Sequence, residues 1–152
     1  MIKFKFLLLT FSISLLVIFT SCSSVSKNEK QELHICPQCN MELPKSNIHT
    51  STINDNGTIQ YFDDVGCMIL WAKDNDFDFA NMKTKIFTND TKKYINSFDA
   101  FYTINEKTPM SYGFSAYEIK KEDTISFDEV IMRMLRGEHM ANPKIRKQIL
   151  GY

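Results

Sequence analysis

Four candidate metal-binding side chains, two thiols, one thioether and one imidazole, lie within the eight residues His34-Ile35-Cys36-Pro37-Gln38-Cys39-Asn40-Met41. Cys39 and Met41 are two residues apart, so on an extended segment their side chains would point to the same side. Thiolate and thioether sulfur together select Cu(I) over hard cations such as Mg²⁺ and Ca²⁺, because polarisable sulfur matches a polarisable d¹⁰ ion. The segment therefore predicts a soft-metal site.

Two other interpretations of this segment stay open. Cys36 and Cys39 form a Cys-x-x-Cys pair, a spacing that also occurs in thioredoxin-like redox motifs and in one half of a zinc site. A disulfide between these cysteines, beside a methionine that only packs, would use the same residues for structure alone. The usual thioredoxin setting is a strand before the motif and a helix that begins at it. Here Pro37 lies inside the motif and a polar stretch precedes it.

The composition of the 152 residues indicates a globular protein with about one compact domain, since 43% of them are hydrophobic and 24% are charged. The formal net charge is zero. Without an excess of basic residues, the chain is not expected to bind nucleic acid. It contains no Gly-rich phosphate loop, no nucleophile elbow and no recognisable pair of catalytic carboxylates. We therefore predict that the protein is not an enzyme.

Residues 1–21 have the pattern of a secretory signal peptide, with lysines near the start, an apolar run over 6–19 and small residues at the end. The next residue, Cys22, resembles the lipidated cysteine of a bacterial lipoprotein, although Phe19 stands where such sites usually have Leu. Residues 22–33 are mostly polar and predict a flexible tether. We expect a protein of the bacterial cell envelope that faces the periplasm or the exterior. It would be held on a membrane by a lipid or, alternatively, by an uncleaved anchor.

The rest of the sequence predicts an α+β fold within a domain at 34–140. It would consist of two small ββαβ-like units, at about 34–90 and 91–140, followed by a C-terminal tail at 141–152 with one short helix. Runs of β-branched and aromatic residues predict the strands, and apolar residues at helical spacing predict the helices. The predicted strands are 48–53, 58–62, 83–88, 93–97, 100–104 and 113–119, and the predicted helices are 65–73, 126–136 and 143–150.

Short signals mark the ends of these elements. The sequence Asn54-Asp55-Asn56-Gly57 favours a tight hairpin, with glycine where a positive φ is needed. Asp63 and Asp64 precede the first helix, and we interpret both as residues that cap it. Ser126, three residues before Glu129, predicts a capping box for the second helix.

Three segments together resemble the NosL family of copper-binding lipoproteins, namely Cys36–Met41, Tyr61–Met68 and Pro109–Phe114. They follow the order and spacing of that family over most of the chain after the tether. In the family the second cysteine is followed by Gly and Met, whereas this chain has Asn40, which also tolerates a left-handed backbone. The resemblance implies a lipid anchor, which agrees with Cys22, and a fold of two ββαβ units side by side.

The resemblance further implies a metallochaperone that delivers Cu(I) to nitrous oxide reductase during maturation of that enzyme, with a membrane transporter complex as another candidate partner. The implied ligands are Cys39 and Met41 from the first segment and Met110 from the third. One thiolate and two thioethers would form a site suited to handing copper over, because thioethers need no deprotonation. Met110 also has a second interpretation, as a filler of gaps in the core.

Other cysteines and histidines are candidates of lower rank. Cys36 is either an additional thiolate ligand or the disulfide partner of Cys39. Cys67 lies early in the first predicted helix, where the helix dipole lowers a thiol pKa, so it is a reactive thiol, a further ligand or a buried inert residue. His34 and His49 could bind Cu(II) or Zn²⁺. The functional classes are thus a copper metallochaperone, an envelope thiol–disulfide protein that uses Cys36 and Cys39, and a structural zinc lipoprotein that uses three cysteines and a histidine.

Overall fold

The computed structural model of the protein describes residues 34–79 and 83–151. The predicted signal peptide, the lipidation site Cys22 and the tether at 22–33 lie outside the described residues. The described residues belong to one compact unit, Glu32–Tyr152. None of the helices described combines the length and the apolar composition that crossing a membrane requires.

The described residues form an α+β structure, as predicted. The strands are β1 (Ser51–Asp55), β2 (Thr58–Phe62), β3 (Lys83–Phe87), β4 (Tyr94–Asn96), β5 (Phe101–Thr103) and β6 (Ser115–Tyr117), and the helices are α1 (Val65–Asp74), α2 (Phe127–Arg136) and α3 (Pro143–Leu150), with a 3₁₀ turn at Ser97–Asp99. Strands β2, β1, β3 and β4 form one antiparallel sheet in that order, and β5 pairs with β6 in a second sheet. All three helices lie where the sequence predicts them.

The hairpin between β1 and β2 is closed by a two-residue turn, because Asp55 pairs with Thr58. Asn56 and Gly57 occupy the turn with φ values of 48° and 94°, and a tight hairpin turn of this kind requires both to be positive. The Gly57 N–H donates a hydrogen bond to Asn54 Oδ1 at 3.0 Å. The predicted hairpin is therefore confirmed.

Strand β1 begins three residues later than predicted, at Ser51 rather than at residue 48. Asn47 and His49 have φ values of 56° and 70°, which lie outside the region that extended strands occupy. The segment before Ser51 is therefore a turn. The β-branched residues from 50 onward continue into the sheet.

The second half of the chain departs from the ββαβ unit predicted for 91–140. The first half has the predicted order β1-β2-α1-β3, but β4 joins β3 in the first sheet, with Ile86 opposite Ile95. The turn between these strands is closed by the Lys92 N–H, which donates to the Thr88 carbonyl oxygen at 3.2 Å, and it folds the chain directly back along β3. In the described part of the chain, α2 is followed by α3 and not by a strand. The first sheet thus contains strands from both predicted units, since β4 lies in the second of them.

Helix α1 places a cysteine inside the hydrophobic core. It packs against α2 and against β1 and β2, and its Cys67 is fully buried in the same core cluster as Cys36. The helix begins after Asp64, whose side chain caps it by accepting the Gly66 N–H. Ser126 caps α2 by accepting the Glu129 N–H at 3.3 Å, which confirms the cap, whereas the Glu129 side chain pairs with Arg133 and does not complete the predicted capping box.

Candidate metal centre

Residues 34–43, here called the cysteine loop, form a tight loop held by backbone hydrogen bonds. The Cys36 N–H donates to the Met41 carbonyl oxygen at 2.9 Å, and the Asn40 N–H donates to the Cys36 carbonyl oxygen at 2.9 Å. Asn40 has a φ of 60°, the left-handed conformation that asparagine tolerates. Cys39 therefore lies in a turn and not on an extended segment with Met41, because the chain reverses direction between Cys36 and Met41.

Two further donors come from the junction between β2 and α1. Asp63 directly follows the last residue of β2, and Cys67 lies in the first turn of α1. Between them, Asp64 caps the helix. This short junction therefore presents a carboxylate and a thiol beside the cysteine loop.

The loop and the junction together bring four potential metal ligands into one cluster, Cys36, Cys39, Asp63 and Cys67. Their ligand atoms, three Sγ and one carboxylate oxygen, all lie within 4.8 Å of one another. Cys36, Asp63 and Cys67 are fully buried, whereas Cys39 is partly exposed. Since a Zn–S bond is about 2.3 Å long, donors at this spacing can share one ion with small adjustments.

Asp63 has one paired and one unpaired carboxylate oxygen. The Cys39 Sγ–H donates to Oδ1 at 3.3 Å, while Oδ2 is buried without a hydrogen-bond partner among the described residues. Such an unpaired buried oxygen is unusual in folded proteins, and a cation between the three sulfur atoms would give it a partner. Our interpretation of Asp63 as a capping residue was wrong, because Asp64 alone takes that role. The sequence did contain a signal that Asp63 has another role: it stands next to Asp64, and a helix has only one N-cap residue.

The three thiols differ in how readily they ionise. The Cys67 thiol donates a hydrogen bond to Cys36 Sγ, and this bond, helped by the backbone N–H groups of Asp63 and Cys39, lowers the pKa of Cys36 to about 6 although burial opposes it. Burial raises the pKa of Cys39 to about 12. The pKa of Cys67 is also raised, first by its hydrogen bond to Cys36 and then by burial. Cys36 is therefore the thiol of the cluster that ionises most readily, and the expected lowering of the Cys67 pKa by the helix dipole is outweighed.

A third segment, the loop at 108–113, is attached to the same junction through Asp64. Asp64 Oδ2 accepts hydrogen bonds from Thr108 Oγ1 at 2.6 Å and from the Met110 N–H at 3.2 Å, and burial raises the pKa of this carboxyl to about 6. The backbone of Met110 is thus bound to the neighbour of Asp63. Its side chain is partly buried and packs against the core that contains Cys36.

Tyr112 packs on the first turn of α1, next to the cluster. A Cβ atom at Gly66 would lie 2.2 Å from Cδ2 of the Tyr112 ring, so the close approach requires glycine there. Burial raises the pKa of Tyr112 to about 12, and the nearby thiol of Cys67 adds to this effect. The tyrosine therefore covers the start of the helix that carries Cys67.

The histidines lie outside the four-donor cluster within the described residues. The His34 ring stacks on Tyr61 with the ring centres 4.1 Å apart, and His49 Nδ1 lies 3.1 Å from Ser115 Oγ. The fourth donor beside the three cysteines is thus a carboxylate and not the histidine considered for a zinc site. Met41 is 44% exposed at the edge of the cysteine loop, and its role as a ligand stays a prediction, as does that of Met110.

Comparison of the chain with protein-family models, with curated proteins and with solved structures gave no match. The chemistry of the donors therefore decides what the cluster can bind. Three sulfur atoms and one oxygen favour a thiophilic ion, whereas Ca²⁺ and Mg²⁺ prefer oxygen ligands. The cluster could hold one such metal ion.

Proposed function

We propose that the protein is a copper carrier of the bacterial envelope that binds Cu(I) at this cluster and is held on a membrane by a lipid on Cys22. The observation that supports the proposal is the group of three Sγ atoms and one carboxylate oxygen within 4.8 Å of one another. The resemblance of three of its segments to the NosL family makes nitrous oxide reductase the proposed recipient. A membrane transporter complex is the proposed source of the ion.

Cu(I) suits these donors because soft sulfur ligands select it over hard cations. The proposed ligands are the thiolates of Cys36, Cys39 and Cys67. A thiol must lose its proton to bind a metal ion as thiolate, so binding would release protons and become tighter as the pH rises. Met41 and Met110 are proposed as additional thioether donors, and each belongs to a loop that borders the cluster.

A carrier needs a set of ligands that can be replaced one at a time, and it needs no general acid or base. The cluster contains one donor at the surface, Cys39, and three that are buried. This difference supports transfer of the ion to another protein.

A structural zinc site is the second candidate function, and the carboxylate of Asp63 favours it. Zn²⁺ accepts both cysteine sulfur and aspartate oxygen in tetrahedral sites, and Asp63 Oδ2 is buried without a partner among the described residues. A thiol–disulfide function has less support. Its nucleophile would be the thiolate of Cys36, which is fully buried, whereas reactive cysteines are usually accessible.

Metal analysis of the purified full-length protein, first under reducing and then under oxidising conditions, tests the proposal. We expect copper bound under reducing conditions at one ion per chain, with strong loss of binding in Cys67→Ser and weaker binding in Met41→Ala and Met110→Ala. Zinc bound under both conditions would favour the structural site. A Cys36–Cys39 disulfide without metal would favour the redox alternative.

Delivery and anchoring need separate measurements. We expect copper-loaded protein to restore the copper content of metal-free nitrous oxide reductase faster than free copper held by a chelator. We also expect Cys22→Ser to abolish incorporation of labelled fatty acid and to release the protein from the membrane fraction. Failure of the delivery experiment would rule out nitrous oxide reductase as the recipient. Failure of the anchoring experiment would rule out the lipid on Cys22. Neither result would bear on copper binding, which the metal analysis tests.

A further inference from the structure

We infer that metal ions enter and leave the cluster at one end, formed by Cys39 and Met41, which we call the exchange end. The inference rests on the proposed function, because it concerns the path of the Cu(I) cargo. The same route limits which chemical groups the recipient can use. The recipient must bring a thiolate, thioether or imidazole to the exchange end.

The four donors of the cluster differ in accessibility. Cys36, Asp63 and Cys67 have 0% of their surface exposed, and Cys39 is the member of the cluster that reaches the surface. An incoming ligand must contact the ion before the ion can move. Cys39 is therefore the first donor that such a ligand can replace, and the buried donors are the last to release the ion.

Met41 lies beside Cys39 at this end. It is two residues from Cys39 in the cysteine loop, and its side chain is 44% exposed. The left-handed Asn40 and the hydrogen bond from the Cys36 N–H to the Met41 carbonyl oxygen hold the two residues in this arrangement. A thioether needs no deprotonation, so it can bind the ion while the thiolate is being replaced.

Other elements pack around the junction that carries Asp63 and Cys67. Helix α1 packs against α2 and the first sheet on the inner side. The Tyr112 ring lies against Gly66, and Thr108 and Met110 are hydrogen-bonded to buried Asp64. An approach through these elements would disturb the packing of α1 or the hydrogen bonds to buried Asp64, whereas Cys39 is already partly exposed.

The exchange is a ligand substitution at copper without a change of oxidation state. The sulfur or nitrogen atom of the recipient forms a bond to Cu(I), and the bond from Cys39 Sγ to Cu(I) breaks. The Cys39 thiolate then takes up a proton from water. A recipient thiol releases its own proton to water as it binds, so charge and protons balance.

Charge placed at position 41 tests this route. Copper-loaded full-length Met41→Lys and Met41→Glu are mixed with the anionic Cu(I) chelator bathocuproine disulfonate, and the rate of copper transfer is measured at low ionic strength. Both variants lack the thioether, so they differ only in the charge at the exchange end. Opposite charges attract an approaching ligand, so we expect several-fold faster transfer from Met41→Lys than from Met41→Glu. The difference should shrink at high salt.

Met132 provides a matched control, since it is 43% exposed on α2. We expect Met132→Lys and Met132→Glu to transfer copper at the same rate as each other. Equal rates for the two Met41 variants, or an effect of the same size at Met132, would overturn the exchange end and leave copper binding intact. A wild-type protein that does not take up Cu(I) would overturn the proposed function and the inference together.

Discussion

Cys39 Sγ donates a hydrogen bond to Asp63 Oδ1 at 3.3 Å, and this contact joins the cysteine loop to the junction that begins helix α1. It connects the one partly exposed donor of the cluster with a donor that is fully buried. The site thus has a surface side and a core side. Single substitutions can separate what the surrounding residues contribute to metal affinity from what they contribute to the stability of the fold.

Replacement of the Asp63 carboxylate should distinguish copper from zinc. Asp63→Asn keeps the shape of the side chain but removes its charge. Because carboxylate oxygen suits Zn²⁺ better than Cu(I), we expect Zn²⁺ affinity to fall by about tenfold, or ~1.4 kcal/mol, and Cu(I) affinity to fall less. Competition titrations with chelators for each ion measure both. Asp123→Asn, at an exposed position, should change neither affinity, and equal losses for the two ions would contradict the prediction.

Removal of the hydroxyl of Thr108 should loosen the loop that carries Met110. Thr108→Val keeps the shape but deletes the 2.6 Å hydrogen bond to buried Asp64 Oδ2. Since a carboxylate left partly unsatisfied in the core is costly, we expect the free energy of unfolding to fall by about 1–3 kcal/mol. Urea denaturation measures it. Thr58→Val, at an exposed strand position, should stay within about 0.5 kcal/mol of the wild type.

Addition of a methyl group at Gly66 should disturb the packing of Tyr112. A Cβ atom there would meet the ring at 2.2 Å, so Gly66→Ala must displace the tyrosine. We expect it to lower the free energy of unfolding by about 1–3 kcal/mol, the usual cost of overpacking. In a double-mutant cycle, Gly66→Ala should cost much less when Tyr112→Ala is already present. Additive effects of the two substitutions would show that the ring does not oppose the new methyl group.

Protonation of His49 should destabilise the folded protein in acid. Burial lowers the pKa of His49 from its usual value, so the unfolded chain binds a proton more readily than the folded one. The stabilisation from neutral His49 is present above pH 6.5 and is lost as the pH falls through the lower pKa of the folded state. We expect the free energy of unfolding to decrease between pH 7 and 5 less steeply in His49→Asn than in the wild type. Equal slopes in urea titrations across that range would refute this.

Local signals predicted the elements of the fold well. The turn at Asn56 and Gly57, the cap at Asp64 and the cap at Ser126 each depend on residues within a few positions of one another. Such contacts can be inferred from neighbouring residue types alone. The pairing of β4 with β3 was not predicted, because the order of predicted strands and helices suggested two units with a boundary at residue 90, and the hairpin crosses that boundary.

The donor set was predicted only in part. Cys36, Cys39 and Cys67 were all candidates by residue type. Spacing suggested Met41 as a partner of Cys39, and the resemblance added Met110 and ranked Cys39, Met41 and Met110 first. The grouping of these three thiols in one cluster results from the fold and not from their spacing in the sequence. The fold brings them together because the cysteine loop contacts the junction that begins α1.

The amino-acid sequence by itself determined the soft character of the ligands and the short elements that carry them, since residue type and near-neighbour spacing decide both. Only the tertiary structure decided that Asp63 faces the thiols and that Cys36 has the lowered pKa. The first depends on a contact between residues 24 positions apart, and the second on the hydrogen bond with Cys67, which outweighs the opposing effect of burial. The energy of a charge in a protein is set by the groups around it in space, and sequence spacing does not specify them.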